Sequence, residues 1–235
     1  MPTAVESRTG LSGNQLKIIA MAAMTCDHVG LLLLPQAGFL RIIGRLAFPV
    51  YAYLIAEGCR YTRSTKRYFL RLASLALLCQ AVYYTAMGSL YQCVLVTFSL
   101  SVCLIRAVDN ALRRRDAVSR LLALGAALAV GFFCCGLPTL LNGTDYAVDY
   151  GIWGVLLPVL VFFGRSRREK LFLLALGTAL LGLTWGGIQW WGMAAVPLLA
   201  CYSGRRGRYR LGTLFYLYYP LHLAVIYGIS ILLNP

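Results

Sequence analysis

The 235-residue chain predicts an all-α fold, a polytopic bundle of about nine transmembrane helices. Three observations lead there. Hydrophobic residues make up 60% of the sequence and charged residues only 13%, about half the charged share of a soluble domain. Mean hydropathy is +0.71, and apolar runs close to the ~20 residues that a bilayer demands recur along the whole chain. Finally, 22 Lys and Arg against 8 Asp and Glu give a net charge of +14, yet the basic residues sit in clusters between the apolar runs. This pattern excludes disorder, a collagen and a small disulfide scaffold. No aromatic recognition surface accompanies the basic residues, so nucleic acid is not an expected partner.

The spans fall at roughly 15–34, 42–58, 68–87, 90–107, 119–138, 148–164, 169–186, 188–203 and 213–233. The second and eighth are near the lower limit for crossing. Residues 1–14 read as a polar cytoplasmic segment and 15–235 as a single transmembrane domain. The first apolar run lacks a small-residue cleavage motif after it, so it reads as a true span. Loop charge orients the chain. Basic clusters at 60–67, 106–120, 165–170 and 205–210 follow the second, fourth, sixth and eighth spans, and the alternate loops hold almost no Lys or Arg. The positive-inside rule then places the N-terminus inside and the C-terminus outside. Twenty of the 22 basic residues lie on or near the cytoplasmic side; Arg41 and Arg45 are the exceptions. Topogenic charge and anionic lipid explain such loops, and so does an anionic cytoplasmic cosubstrate.

The eight cysteines lie mostly inside apolar runs and form no CxxC pair. They read as small buried hydrophobes. With two histidines in the chain, no metal is expected. P-loop, zincin and serine-hydrolase motifs are absent.

Ionisable residues inside spans are costly and mark candidate function. Asp27 and His28 are neighbours in the first span. They point about 100° apart on a helix, so each needs a partner elsewhere. His28 suits a general base or a transient acyl acceptor; interhelical hydrogen bonding is the other reading. Arg41 and Arg45 share a helix face at i,i+4. Arg45 lies deeper and needs an anion, either Asp27 or a ligand carboxylate or phosphate. Glu57 precedes Arg60 and Arg63, as a solvated helix-end ion pair would. His222 follows Pro220, which should kink the last span and free carbonyls that a histidine can use. Asp149 opens the sixth span, where Asp suits a helix N-terminus.

Several short blocks carry a resemblance. They are Leu16-Lys17-Ile18-Ile19-Ala20, Asp27-His28-Val29-Gly30, Ile43-Gly44-Arg45-Leu46-Ala47-Phe48-Pro49, Glu57-Gly58, Tyr61-Thr62-Arg63, Asp149-Tyr150-Gly151, Tyr202-Ser203-Gly204-Arg205-Arg206-Gly207 and Phe215 to Leu223. In this order and spacing the chain resembles the TraX family of bacterial membrane proteins, named for a conjugal-transfer protein that acetylates pilin. The resemblance implies a multi-pass acyltransferase of the bacterial inner membrane that takes acetyl-CoA from the cytoplasm. The acceptor would be a pilin N-terminus or an envelope glycan or lipid, and anionic lipids would be neighbours. His28 would be the catalytic base, Asp27 its partner, and Arg45 the oxyanion stabiliser. Arg41, His222, Asp149, Glu57 and Tyr219 would handle substrate. Arg205, Arg206 and Arg63 would meet the phosphates of CoA. Ser203 stands where the family usually has Asn. A proton-coupled transporter or flippase and a noncatalytic envelope scaffold are the alternative readings.

Overall fold

The computed structural model describes residues 10–208 and 212–233. Most of the N-terminal segment, with Arg210 of the fourth basic cluster, lies outside the described residues. Those described are helical and form no strand. The elements are α1 (Gly13–Leu32), α2 (Gly38–Gly44), α3 (Ala47–Tyr61), α4 (Thr65–Met87), α5 (Val94–Arg114) and α6 (Ala117–Gly131). A π turn over Phe132–Gly136 carries α6 into α7 (Leu137–Leu140). Then come α8 (Gly151–Phe163), α9 (Arg167–Trp185), a 3₁₀ stretch over Gly187–Ala194, α10 (Ala195–Ala200) and α11 (Gly212–Leu233).

Four stretches are long and apolar enough to cross a membrane: Gly38–Tyr61, Thr65–Met87, Val94–Arg114 and Ala117–Leu140. Leu77, Leu78 and Val82 on α4 and Leu121, Leu122 and Leu128 on α6 are exposed. A water-soluble monomer rarely tolerates so much outward apolar surface, whereas lipid solvates it. Two expected spans take a different form. The sixth is a 13-residue helix, about 20 Å long. The eighth is eight residues of 3₁₀ helix followed by six of α10. Gly186 and Gly187, both with positive φ, break the chain after α9, and Pro197 follows within α10.

The second expected span is also divided, at Arg45-Leu46. Pro49 is the cause. It has no N–H to return to the Arg45 carbonyl and its ring crowds that carbonyl. The helix therefore stops and restarts, with Pro49 tolerated in the new first turn. By contrast α11 continues through Pro220.

The chain forms two compact units. One comprises residues up to Leu54 and from Leu174 onward; the other is Ile55–Leu173. In the first unit, α1 packs against α2 and α11. The start of α1 is fully satisfied. Ser12 and Gln15 make a reciprocal capping box, and the Gly13 and Asn14 N–H groups donate to the Arg205 and Arg206 carbonyls at 2.7 and 3.0 Å. The 201–207 loop thus grips the α1 N-terminus. Gly207, at φ +100°, completes that loop in a conformation L side chains rarely adopt. In the second unit, α5 is central and packs on α4, α6 and α8. Its fully buried Ser101 donates to the Val155 carbonyl at 2.8 Å, a small polar contact typical of close helix packing in membranes.

At one end of that unit, the Asp145 carboxylate accepts the Ser89 hydroxyl and the Leu90 N–H. The Ser89 hydrogen bond, with Leu90 next, holds this carboxyl below its ordinary range. A depressed folded-state value means the clamp is fully formed above the unfolded value of about pH 4 and is lost as pH falls through the lower folded value. Hydrogen-exchange protection at Leu90 should stay constant from neutral pH to about pH 4 and drop below it. Asp145→Ala should lack that protection at every pH. A wild-type profile flat into the acid range contradicts the clamp.

Candidate functional site

The site lies in the first unit and is built by α1, α2, the 3₁₀ stretch and α11. On α1, Asp27 and His28 face different neighbours, as adjacent helical residues must. The Asp27 carboxylate takes the Arg45 guanidinium through Nη2, and Arg41 Nε lies 3.6 Å from the same oxygen. The Asp27 and Arg45 side chains are only 15% and 11% exposed. Gly44 makes this approach possible. A Cβ there would sit 2.3 Å from the Asp27 Cβ, far inside contact distance.

Arg45 is fully engaged. Its Nη1 donates to Gln189 Oε1 at 3.2 Å and its Nε to the Arg41 carbonyl at 3.3 Å. Because Arg45 can only donate, the Gln189 amide oxygen must face it and Nε2 must face away. Gln189 is 5% exposed. Three buried polar atoms have no hydrogen-bond partner among the described residues: Arg41 Nη1, Gln189 Nε2 and Thr178 Oγ1. Thr178 is close by. A Cβ on Gly192 would lie 3.1 Å from its methyl and 3.4 Å from the Arg45 carbonyl oxygen. One carboxylate between two guanidiniums leaves the cluster with an excess positive charge and open donors. Such a group is stabilised by an anionic oxygen.

The histidines form the second half of the site. His28 Nδ1 and His222 Nε2 are 3.0 Å apart, and His222 Nδ1 is 2.8 Å from the Tyr218 carbonyl. A carbonyl only accepts, so His222 Nδ1 carries a proton. In the neutral ring its Nε2 is then an acceptor, and His28 Nδ1–H donates to it. The remaining nitrogen, His28 Nε2, holds a lone pair. Tyr218 stacks on His222 with ring centroids 5.0 Å apart and planes 5° from parallel; buried Tyr219 meets the same ring edge-on at 5.7 Å. Thr25 contacts the Tyr218 hydroxyl.

The structure therefore brings together Asp27, His28, Arg41, Arg45, His222 and Tyr219. It bears out the Arg45–Asp27 reading and corrects the partnership of Asp27 with His28 that the resemblance implied. The carboxylate is taken by the arginines, and His222 orients His28. His222 uses the Tyr218 carbonyl, one turn back in ordinary helical register, rather than a carbonyl freed by Pro220. Arg205 and Arg206 are exposed, and their carbonyls, not their side chains, hold α1.

Glu57, Arg63 and Asp149 belong to the second unit. Glu57 is not a solvated partner of Arg60 or Arg63. It is 7% exposed and pairs with Lys170 Nζ at 2.6 Å. Arg60 instead donates to the Phe162 and Gly164 carbonyls at the end of α8, as basic side chains do at helix C-termini. Asp149 does not cap α8. Tyr150, at φ +59°, is the N-cap and makes no side-chain cap bond, while the Asp149 carboxylate accepts the Tyr91 hydroxyl at 2.7 Å. Sequence reasoning missed Gln189 and Thr178. A lone amide in an apolar stretch was the available signal.

A buried ion-pair cluster beside a histidine dyad, in a helical protein with helices long and apolar enough to cross a membrane, defines a membrane-type helical protein with a buried polar site. The chain matches the TraX protein model over residues 12–230 and belongs to that family. It is 25% identical to the probable fimbrial assembly protein FimC, serogroup H1, of Dichelobacter nodosus, over 92% of this chain and 94% of that one. A 38-residue stretch, 16% of this chain and 15% of the other, is 53% identical to an uncharacterized protein of Rickettsia prowazekii. No solved structure matches.

Breaking a largely buried ion pair by removing one partner costs about 3–5 kcal/mol. Asp27→Leu alone should therefore lower the melting temperature sharply in detergent. Asp27→Leu with Arg45→Met should recover most of the loss. If the double variant melts no higher than Asp27→Leu, the pair is not the cluster's organising contact.

Proposed function

We propose that the protein is an acyltransferase of the bacterial inner membrane, crossing it about nine times with the N-terminus inside and the C-terminus outside. The donor is cytoplasmic acetyl-CoA. The acceptor is an amine or hydroxyl of a pilin or of an envelope glycan or lipid. The name of the Dichelobacter relative, a fimbrial assembly protein, favours pilin. The alternation of basic loops supports the topology. Clusters precede α9 and follow α10, so the Gly187–Ala200 piece returns the chain to its starting side.

The observation that carries the reading is His28 Nε2. Its lone pair is fixed by the His222 hydrogen bond, and the cationic donor cluster is built on the adjacent residue of α1. The acceptor gives its proton to Nε2 as its nitrogen or oxygen bonds to the thioester carbonyl carbon. The carbon–sulfur bond breaks, and the departing CoA thiolate takes that proton from His28. While His28 is cationic, its Nδ1 proton leans toward His222 Nε2, and the Tyr218 carbonyl holds the far proton. His222 thus acts as a positioning residue, in the way a carboxylate supports a catalytic histidine elsewhere. The developing oxyanion is served by the open donors Arg41 Nη1 and Gln189 Nε2. Arg45 then positions Asp27 and Gln189. Exposed Arg205 and Arg206 of the first unit, or Arg63 of the second, offer charge to the CoA phosphates.

Purified protein given acetyl-CoA and an envelope extract should release free CoA. His28→Ala should lower kcat at least about a hundredfold. His222→Ala should lower kcat with KM nearly unchanged, and His222→Gln should restore part of it because its amide oxygen can accept from His28 Nδ1–H. Near-normal turnover in His28→Ala removes the base. No release by folded protein with several acyl-CoAs removes the transferase and favours transport, which a pH-gradient uptake assay in liposomes reads.

A further inference from the structure

A groove in the second unit is lined by Thr62, Arg63, Ser64, Arg67, Tyr68 and Arg71. It lies where the turn after α3 enters α4, whose N-cap Ser64 accepts from the Arg67 N–H at 3.3 Å. Arg67 and Arg71 are four residues apart on one face of α4, about 6 Å along its axis, and Arg63 sits in the turn just before the extended N-cap Ser64. All three are exposed, and none has a carboxylate partner among the described residues. The first turn of α4 contains no acidic residue, while Lys66 and Arg67 lie in it. Like charges at this spacing repel, and cations at a helix N-terminus oppose its dipole. Positive charge is thus concentrated where the backbone already supplies some. The positive-inside rule accounts for the side of the membrane these arginines occupy. It does not account for three unpaired guanidiniums lining one concave site.

We infer that this groove binds phosphate, an organic phosphate of more than one negative charge gripped by the guanidinium forks of Arg63, Arg67 and Arg71. A soluble bisphosphate and the headgroup of an anionic lipid offer the same chemistry. If the transferase reading holds, the soluble source is the nucleotide end of the acyl donor. That identity alone rests on the transferase reading.

The test is equilibrium binding of adenosine 3′,5′-bisphosphate to the full chain in phosphatidylcholine nanodiscs, repeated with phosphatidylglycerol. Binding should be saturable and salt-sensitive. Arg67→Lys with Arg71→Lys keeps the topogenic charge but loses the forks, and should weaken binding at least tenfold. Arg165→Lys with Arg168→Lys should change it less than twofold. If phosphatidylglycerol abolishes nucleotide binding, and native mass spectrometry finds that lipid retained by wild type but not by the Arg67/Arg71 pair, the phosphate is the lipid's. Retention of neither phosphate, or equal loss in both double variants, overturns the site. Bisphosphate binding without CoA release keeps the groove and rejects the transferase. Transfer with an unchanged KM for acetyl-CoA in the Arg67/Arg71 pair keeps the transferase and places its donor elsewhere.

Discussion

The first unit depends on one carboxylate. Asp27 carries a largely buried charge, which must be paired, and α2 is shaped to pair it. Pro49 stops the helix so that Arg45 stands at its end. Gly44 lets the α2 backbone close onto the Asp27 Cβ. Arg45 then extends the contact to Gln189, which ties the 3₁₀ stretch to α1 and α2. Each of these features is unfavourable in isolation: a broken helix, a glycine in a helix, an amide among apolar residues. Together they satisfy one another.

Two neighbouring residues of α1 serve two systems because the helix separates them by about 100°. Asp27 belongs to the charge cluster, and His28 belongs to α11. The tautomer of His28 follows from a chain of obligations that begins at a backbone carbonyl. The Tyr218 carbonyl can only accept, so His222 must donate there and accept from His28. His28 therefore needs no carboxylate of its own to fix its orientation. The pairing leaves the Asp27 charge for the arginines, and the surplus guanidinium leaves open donors.

The helical character, the apolar exterior and the positions of most elements were legible in the sequence. Long apolar runs and segregated basic loops follow from the energetics of the bilayer itself. Asp27, His28, Arg41, Arg45 and His222 were legible for the same reason, since ionisable groups in apolar runs are rarely incidental. The Asp27–Arg45 pair was one of two readings that the residues offered, but the partners of His28 and Glu57 were not legible. A sequence shows that Glu57 precedes Arg60 and Arg63, but its partner is Lys170, 113 residues on. Local spacing favoured the near arginines, whereas burial at 7% exposure demanded a close cation that only another helix could bring.

What the sequence by itself determined was the class of protein, the family, and the set of side chains whose burial would need an explanation. Tertiary structure decided which group answers which. It gave Asp27 to Arg45 and His222 to His28, held α1 by the carbonyls of Arg205 and Arg206, and brought Gln189 to the ion pair. The physical reason is that the cost of burying a polar group is set by residue type and local hydropathy, both written along the chain. The relief of that cost comes from distant partners, such as His28 and His222, 194 residues apart, whose approach depends on helix breaks, glycine contacts and packing that no local window contains.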